Sequence, residues 1–451
     1  MLLQFSVSNF RSIRDHQTLN LAASNYDKSL PGNSSNPGDP ASSTSKRWLH
    51  GAAIYGANAS GKTTVIKALG ALKNLIKHSA KKTDPEEKIE EFQPFALDPE
   101  GETQPTAFAV VFVFEGLRYE YRVAGTRQRI LHESLRTFPG PKKQKLWYAR
   151  DWEQTSNLYH WKQDRNSGYA RDFKREEYTL PNQLFLSRAI SLGDTQLEPC
   201  FRWFDVKLMI LDLNVITMGI YNNFTASELL EDSTAAPNIL EFLKLADLGI
   251  TDAEVKKAFT DSDLRERMER MLPAQPEVFR NALADQMRHQ IRLSHRGPGG
   301  QNVPLPWEVE SAGTTRLFSL AGPWLAILSV GRTVCIDELE NSLHPLMAQA
   351  IVKLFFSAKD NPNGAQILFT THNPLLLDQS LLRRDQVWFT DKDDDGATHL
   401  YPLTDYQPRA EESLVRGYLS GRYGAIPFIP CGLLGSEDFV SKAEVMEEVD
   451  A

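Results

Sequence analysis

The stretch that decides the fold is Gly56-Ala57-Asn58-Ala59-Ser60-Gly61-Lys62-Thr63, which matches the pattern G-x-x-x-x-G-K-[ST]. An apolar run over residues 52–55 precedes it and predicts a buried strand, and apolar residues recur at helical spacing from Val65 to Ile76. Glycines in such a loop let backbone N–H groups surround phosphates, and the next helix adds its dipole. A chance glycine-rich turn does not explain the strand and the helix that flank the loop. The sequence therefore predicts a site for a nucleoside triphosphate.

The polar residues of this loop divide into phosphate ligands and a metal ligand. Lys62 is expected to neutralise phosphate charge, and the Thr63 hydroxyl is expected to hold Mg²⁺. The remaining residues predicted to contact the nucleotide are Gly56, Asn58, Ser60, Gly61 and Thr64.

Composition limits the class of protein. The chain has 451 residues, 41% of them hydrophobic, which suffices for a large α/β domain with an insertion or for two to three units. The net charge of −8 argues against an overall basic surface, although a local patch for DNA remains compatible with it. The three cysteines form no C-x-x-C pair, and neither a signal peptide nor a membrane span is recognisable. These features predict a cytoplasmic protein.

The remaining patterns predict the domain organisation. Residues 2–22 and 106–136 have the apolar alternation of antiparallel strands, whereas 147–174 has no clear period. Residues 227–294 have helical apolar stripes among many charges. We therefore expect an N-terminal ATPase lobe over 1–205, a mainly helical insertion over 206–300 and a C-terminal ATPase lobe over 301–451.

Two later segments contain candidate residues for binding Mg²⁺ and for activating water. Residues 333–336 form an apolar run that ends in Asp337 and Glu338, a Walker B pattern. Asp337 would hold Mg²⁺, and Glu338 would orient or deprotonate the attacking water. An acidic turn at the surface would show the same sequence pattern. A further apolar run over 366–371 ends in His372, which is placed to hydrogen-bond a phosphate oxygen or that water.

A short polar segment, Ser311-Ala312-Gly313-Thr314, precedes an apolar helix upstream of Walker B. A helix N-terminus with small residues and hydroxyl groups is a suitable anion site. The alternative is an ordinary N-cap formed by Ser311 or Thr314. From the residues alone both remain open, as do two roles for Arg316, a bridge to a partner's nucleotide or a surface charge.

Taken together, these segments resemble the ABC-type ATPase heads of the SMC, RecF and OLD group. Within it they are most similar to the AAA-15/AAA-21 ATPases of bacterial anti-phage systems (RloA, the AbiL ATPase, PtuA of Septu and AriA of PARIS). The residues that carry the resemblance are 9–12 (Asn-Phe-Arg-Ser), 54–64, 93–95 (Gln-Pro-Phe), 310–317, 336–345, 369–378 and 421–427.

The resemblance implies a P-loop ABC-ATPase head with a mixed or parallel core sheet, an antiparallel β subdomain and a helical insertion. It implies a homo-oligomer, a dimer or a ring of dimers, in which ATP on one P-loop is covered by Ser311 and Gly313 of another chain. It also implies that Gln93 contacts Mg²⁺, although Gln93-Pro94 is equally a loop end before a strand. Ala312 replaces a glycine of the usual ABC signature. Alanine is small enough for phosphate to approach, but the rate at which two heads close around ATP does not follow from the resemblance.

The resemblance further implies a sensor ATPase of a phage-defence system that hydrolyses ATP and controls a separate effector. The acidic segment 391–396 contains D-x-D spacing, but its flanks predict a hairpin with an Asp-Gly turn rather than a TOPRIM nuclease site. A TOPRIM-type nuclease or a toxin would therefore be another polypeptide, and a phage protein would be the trigger. The alternative is a DNA-repair ATPase clamp of the RecF and SMC kind. A transporter motor is disfavoured because the Leu-Ser-Gly-Gly-Gln signature is missing.

Overall fold

The structure is a computed structural model that describes residues 1–42, 46–98, 101–170, 177–231, 233–245, 249–341, 343–409 and 412–427. Ser342 of the Walker B segment and residues 428–451 of the predicted C-terminal lobe lie outside these ranges. The strands are β1 (Leu2–Ser8), β2 (Gln17–Asn20), β3 (Ser34–Ser35), β4 (Trp48–Leu49), β5 (Gly51–Gly56), β6 (Thr106–Phe114), β7 (Leu117–Gly125), β8 (Ile130–Gly140), β9 (Lys143–Glu153), β10 (Leu158–Lys162), β11 (Leu208–Leu211), β12 (Ile250–Lys257), β13 (His289–Arg296), β14 (Asn302–Pro306), β15 (Thr333–Ile336), β16 (Gln366–Thr370), β17 (Val387–Lys392) and β18 (Thr398–Pro402). The helices are α1 (Lys62–His78), α2 (Phe185–Ser191), α3 (Glu198–Arg202), α4 (Val215–Leu230), α5 (Ala236–Leu245), α6 (Asp261–Met271), α7 (Glu277–Met287), α8 (Ala312–Val330), α9 (Pro345–Phe356) and α10 (Leu414–Leu419).

A six-stranded sheet, in the order β11-β15-β16-β5-β17-β18, forms the centre of the molecule. Its first five strands pair in parallel, and only β18 is antiparallel to its neighbour. Every residue of β5, β15 and β16 is buried, as expected for parallel strands covered on both faces. The carboxyl ends of these three strands therefore meet at one edge of the sheet.

A second, seven-stranded antiparallel sheet has the order β10-β9-β8-β7-β6-β1-β2. Its inward residues Phe108, Val110 and Phe112 share one hydrophobic core with Val65 and Leu69 of α1. The strand pair predicted over 2–22 and the strands predicted over 106–136 are confirmed. Strand β10 and most of β9 lie in 147–174, where the sequence has no clear period because burial does not alternate in β9 and the exposed positions of β10 include the apolar Leu158.

A fully buried carboxylate joins this sheet to the rest of the lobe. Both side chains of the Glu133–Arg150 ion pair have no exposed surface. Glu133 accepts hydrogen bonds from Tyr121, Tyr148, Arg150 and the backbone N–H groups of Phe185 and Leu186. Helix α2 therefore begins on a carboxylate, which stabilises the positive end of its dipole.

The segment predicted as a mainly helical insertion contains helices α4 to α7 and also strands. Strand β11 at its start belongs to the central sheet, and β12 and β13 form a three-stranded sheet with β14. The apolar residues of this sheet, Ile250, Ile291 and Leu293, pack with Leu317 and Phe318 of α8. The insertion is therefore attached to the helix that follows Ser311.

Helix α8 contains Pro323, which cannot donate a hydrogen bond to Ser319 O four residues earlier. The Thr225 hydroxyl of α4 donates to that carbonyl at 3.1 Å and accepts from Gly322 N at 3.0 Å. Gly322 permits this approach, since a Cβ there would lie 2.7 Å from Thr225 Oγ1. A single buried threonine of the insertion thus satisfies the interrupted turn of α8.

Candidate ATPase site

The P-loop connects β5 to α1 as the sequence predicts. Two of its residues have left-handed backbone conformations, Ala59 at φ 63° and Gly61 at φ 106°. Such conformations turn successive N–H groups into one concavity, which is the usual form of an anion-binding loop. Asn58 is exposed at the tip of the loop, whereas Ser60 is buried beneath it.

Lys62 is folded back into this loop. Its Nζ donates to Gly56 O at 3.0 Å and to Ala57 O at 2.9 Å, and the residue is only 5% exposed. Burial lowers the pKa of the Lys62 ammonium, and the nearby carboxylates Asp337, Glu338 and Glu340 oppose this effect. The lysine is therefore a cation close to the Walker B acids, with donors that a phosphate group can take over from the two carbonyls.

The β17–β18 hairpin contacts the P-loop through the hydroxyl groups of Thr390 and Thr398. Ser60 Oγ lies 2.7 Å from Thr390 Oγ1, and Thr398 Oγ1 donates to Ser60 O at 3.0 Å. Ser12 Oγ lies 2.9 Å from Thr398 Oγ1 and also 2.9 Å from Thr64 Oγ1. The Thr64 hydroxyl therefore has a protein partner, Ser12, and this contact stabilises the P-loop.

Gly61 cannot be replaced by a residue with a side chain in this arrangement. A Cβ at Gly61 would lie 2.1 Å from Thr398 Oγ1, and its φ of +106° is a conformation that L side chains rarely adopt. A Cβ at Gly56 would lie 2.4 Å from Ser60 Oγ. The two glycines of the motif are therefore required by the packing of the hairpin against the loop.

A cleft of about 390 Å³ opens at the start of α1. Its lining residues are Arg11, Ser12, Ala59, Gly61, Lys62, Thr63, Thr64 and Lys67. Arg11 is exposed, has a left-handed φ of 54°, and its N–H donates to Gln93 O at 2.6 Å. Three basic side chains and the hydroxyl groups give this cleft the chemistry of a polyphosphate site.

Asp337 and Glu338 follow β15 directly and are held by Thr370 at the end of the neighbouring β16. The Thr370 hydroxyl donates to Asp337 Oδ1 at 2.6 Å and accepts from Glu338 N at 2.8 Å. Glu338 has a left-handed φ of 51°, and it is exposed whereas Asp337 is half-buried. The strained turn thus directs two successive carboxylates differently, which suits a metal ligand and a base.

His372 lies beside these acids after β16. Its backbone N–H donates to Glu340 Oε1 at 2.6 Å. Burial and then the charge of Lys62 lower the pKa of His372, and Glu340, Glu338 and Asp337 oppose this effect. The imidazole is therefore predominantly neutral near pH 7, so one ring nitrogen can donate while the other accepts.

Gln93 makes its hydrogen bonds with Glu90 and Arg11. Its side-chain amide donates to Glu90 O at 3.1 Å, and its backbone carbonyl receives the Arg11 N–H. Gln93 is thus placed beside the loop that carries Arg11, at the border of the cleft. Its role as a ligand of Mg²⁺ stays a prediction.

The segment before α8 is an N-cap and is also accessible. Ser311 Oγ accepts from Thr314 N at 3.1 Å, and Ser311 and Ala312 are exposed, with Gly313 half-buried. Glu310, directly before them, is held by His295 Nε2 of β13 at 2.8 Å. Both sequence interpretations therefore fit, because the helix is capped and its N-terminus still opens to solvent.

The set of residues fits ATP and Mg²⁺. The P-loop has a backbone concavity, Lys62 can exchange its carbonyl partners for phosphate, and a hydroxyl and a carboxylate are available at Thr63 and Asp337. Mg²⁺ in nucleotide sites commonly has one or two protein ligands besides phosphate oxygens and water.

Sequence analysis missed four residues of this site: Arg11, Ser12, Glu340 and Thr370. Arg11 and Ser12 were quoted only as part of a resemblance, and their role depends on a loop that reaches the P-loop from another sheet. Glu340 is the second residue after Glu338, and its acidic side chain so close to Walker B could have identified it as part of the site. The Asp391–Asp395 segment is the predicted hairpin, and its Asp393 and Asp395 form ion pairs with Arg14.

A comparison with protein families identifies most of the chain. A family model, AAA-21 (AAA domain, putative AbiEii toxin, Type IV TA system), matches residues 52–378, well over half of the chain. No curated protein gives a significant match. In the described part of the chain no helix has the length and apolar character needed to cross a membrane.

Solved structures similar to the chain include heads of the SMC and RecF kind. The SMC head domain from Thermotoga maritima is 13% identical, covering 89% of this chain and 98% of that chain, with a TM-score of 0.37. The SMC head bound to the C-winged helix domain of ScpA is 13% identical, covering 88% and 96%, with a TM-score of 0.41. The recombination mediator protein RecF (RecF-ATPrS) in the RecFOR pathway is 12% identical, covering 89% and 98%, with a TM-score of 0.31.

Proposed function

The chain belongs to the AAA-21 family, and from this premise we propose that it is an ATP-binding and ATP-hydrolysing regulator of a phage-defence system. In this proposal two chains close head to tail around ATP and control a separate effector protein. The effector would be a TOPRIM-type nuclease or a toxin, and a phage protein would act as the trigger.

The observation that carries the ATPase part is the meeting of three strand ends. The P-loop follows β5, the two acids follow β15, and His372 follows β16, which lies between them in the sheet. The pKa of Lys62 responds to Asp337, Glu338 and Glu340, which supports their closeness. Sequence segments almost 300 residues apart thus form one phosphate-binding and acidic site.

In this site the protein residues divide the work of hydrolysis. Lys62 and the P-loop N–H groups bind the phosphates, and the exposed carboxylate of Glu338 removes a proton from the attacking water. Neutral His372 donates a hydrogen bond to the transferred phosphate, which stabilises charge that develops in the transition state. Thr63 and Asp337 would hold Mg²⁺, which supplies charge neutralisation on the phosphate oxygens.

The exposed N-terminus of α8 supports a head-to-tail dimer. Ser311, Ala312 and Gly313 belong to the predicted nucleotide site but present an uncovered helix end, with only Ser311 engaged as a cap. An uncovered helix end attracts the phosphates of a nucleotide bound to a second chain. ATP would then favour the closed dimer because it binds that state better than the open one.

The insertion is the part of the chain that the ATP chemistry leaves unconstrained. It packs on α8 through Leu317 and Phe318, and its His295 holds Glu310 beside the signature. A partner that binds the insertion would therefore act on the helix that closes over ATP. The alternative function, a DNA-repair clamp, requires a basic groove, which the net charge of −8 disfavours without deciding it.

The test uses Glu338→Gln, which should bind ATP and hydrolyse it slowly, purified from the native host with ATP and Mg²⁺. Native mass spectrometry should find a stoichiometric second protein that is lost with Lys62→Ala. Infection of cells with and without the gene, measured as phage plaque numbers, tests the defence role separately. Complexes that contain only DNA and no second protein would favour the repair clamp instead.

A further inference from the structure

Arg316 lies one turn into α8, and its guanidinium is buried and poorly satisfied. The residue is only 8% exposed, and its Nε and Nη2 atoms have no hydrogen-bond partner in the described part of the chain. Buried donors are normally paired, because an unpaired one loses its water without replacement. This excludes a surface charge and calls for a partner that the guanidinium can meet.

The packing of α8 shows where this side chain points. Leu320, Trp324 and Ile327 share one hydrophobic cluster with Ile336 and Leu339, the residues on either side of the Walker B acids. Arg316 precedes Leu320 by four residues and therefore lies on the same helix face. Continued by one turn toward the helix N-terminus, this face reaches beyond the end of β15, where Glu338 lies.

The electrostatics of the residue agree with that placement. Burial lowers the pKa of the Arg316 guanidinium, and Glu338 is the charge that opposes this effect. An arginine remains protonated in proteins, so a positive charge faces the proposed base from within the same chain.

We propose that Arg316 is the positioning residue for Glu338. In this structure Nε and Nη2 of the guanidinium have no partner in the described part of the chain; when the site closes around ATP, the guanidinium takes the Glu338 carboxylate in a charge-assisted hydrogen bond and so sets the direction from which Glu338 approaches the attacking water. The proposal rests on the ATP hydrolysis proposed above and adds a residue to that site.

The position of Arg316 on α8 gives this contact a regulatory consequence. The same helix begins with Ser311 and Gly313, which would cover ATP on the other chain. A small movement of α8 on closure therefore moves Arg316 and, through it, Glu338. Each chain would adjust its own base when it covers the nucleotide of its partner.

The test compares Arg316→Met, which removes the charge at similar length, with Arg316→Lys, which keeps it. We expect Arg316→Met to lower kcat for ATP hydrolysis about tenfold while KM changes less than about twofold. Arg316→Lys should recover most of the rate. Arg332→Met, at the other end of α8, is the matched control and should leave kcat unchanged.

A purely structural role makes different predictions. It would lower the melting temperature of Arg316→Met, whereas replacement of a buried charge by an apolar side chain should leave it equal or higher. In a Glu338→Gln background, Arg316→Met should change the residual single-turnover rate less than about twofold, because the two residues act as a unit. Equal losses with and without Glu338 would overturn the proposal.

The failure of this inference can be told apart from failure of the proposed function. Hydrolysis by the wild type together with an unchanged kcat in Arg316→Met overturns the positioning role alone. Absence of any hydrolysis by the wild type overturns both.

Discussion

The hydroxyl of Thr370 donates a 2.6 Å hydrogen bond to Asp337 Oδ1 and so fixes the carboxylate that is expected to hold Mg²⁺. The same oxygen accepts from Glu338 N at 2.8 Å, which holds the left-handed turn of the proposed base. Thr370 belongs to the strand that lies between the P-loop strand and the Walker B strand. One side chain therefore sets the position of two acids with different roles.

Thr370→Val keeps the shape of the side chain and removes both hydrogen bonds. We expect kcat for ATP hydrolysis to fall at least about tenfold, which corresponds to about 1.4 kcal/mol of transition-state stabilisation. Thr370→Ser retains the hydroxyl and is the matched control, with activity near that of the wild type. Equal rates for the valine and serine variants would contradict the role given to Thr370.

Gly61→Ala should abolish ATP binding. The added Cβ would lie 2.1 Å from Thr398 Oγ1 at a φ of +106°, so the loop must shift. Gly116→Ala is the control, because Gly116 has a φ of +73° but nothing within 4 Å of its Cβ position. That variant should lose about 1 kcal/mol of stability and bind a fluorescent ATP analogue normally. Normal binding by Gly61→Ala would contradict the hairpin support of the P-loop.

Glu133→Gln should destabilise the N-terminal lobe. The amide leaves the buried Arg150 without a counter-charge and cannot accept all five hydrogen bonds that end on Glu133. Loss of one partner from a buried pair costs about 3–5 kcal/mol, measured as the free energy of unfolding. Glu153→Gln, which removes an exposed partner of His160, should leave the free energy of unfolding nearly unchanged. Similar losses for the two variants would show that the pair is unimportant.

His50 makes folding depend on pH. Burial lowers the pKa of His50 from 6.5 to about 4. Nε2 of its imidazole ring lies within hydrogen-bond distance of Ser35 Oγ, at 2.7 Å. Between these values the unfolded chain binds a proton that the folded chain does not, so stability falls as pH falls from 6.5 towards 4, by roughly 3 kcal/mol in all. Calorimetry at pH 7.5 and 5 should give a smaller difference for His50→Gln than for the wild type.

Much of the fold and the central part of the site follow from the sequence because they depend on local patterns. The P-loop is contiguous, and strand β5 and helix α1 flank it closely enough for their periods to identify it. Walker B and His372 each follow an apolar run that is buried on both faces. In these segments the functional residues are next to the strand or helix that positions them, so the sequence pattern alone identifies them.

The residues that the sequence analysis missed depend on contacts between distant segments. Thr370 is an ordinary strand residue until β16 is placed beside β15, and Ser12 gains its role only when its loop meets Thr64 and Thr398. Strand β10 was missed because it is short and its exposed positions include the apolar Leu158, so the alternation of its burial is not visible in the sequence. The role of Arg316 could not be decided from the sequence, because the sequence does not show whether a charged helix residue is buried. Its burial becomes known only when the residues that pack around it are placed.

The most direct test of the head-to-tail ATPase is complementation between two inactive variants. Lys62→Ala removes the P-loop lysine, and Ala312→Glu places a negative charge at the exposed start of α8, where it should repel phosphate without harming the helix. Each variant alone should hydrolyse no ATP. A mixture forms heterodimers in which one site has an intact P-loop and an intact signature, so the account predicts that ATPase activity returns on mixing. If the mixture stays inactive while each variant is folded, or if Ala312→Glu alone hydrolyses ATP like the wild type, the account is wrong.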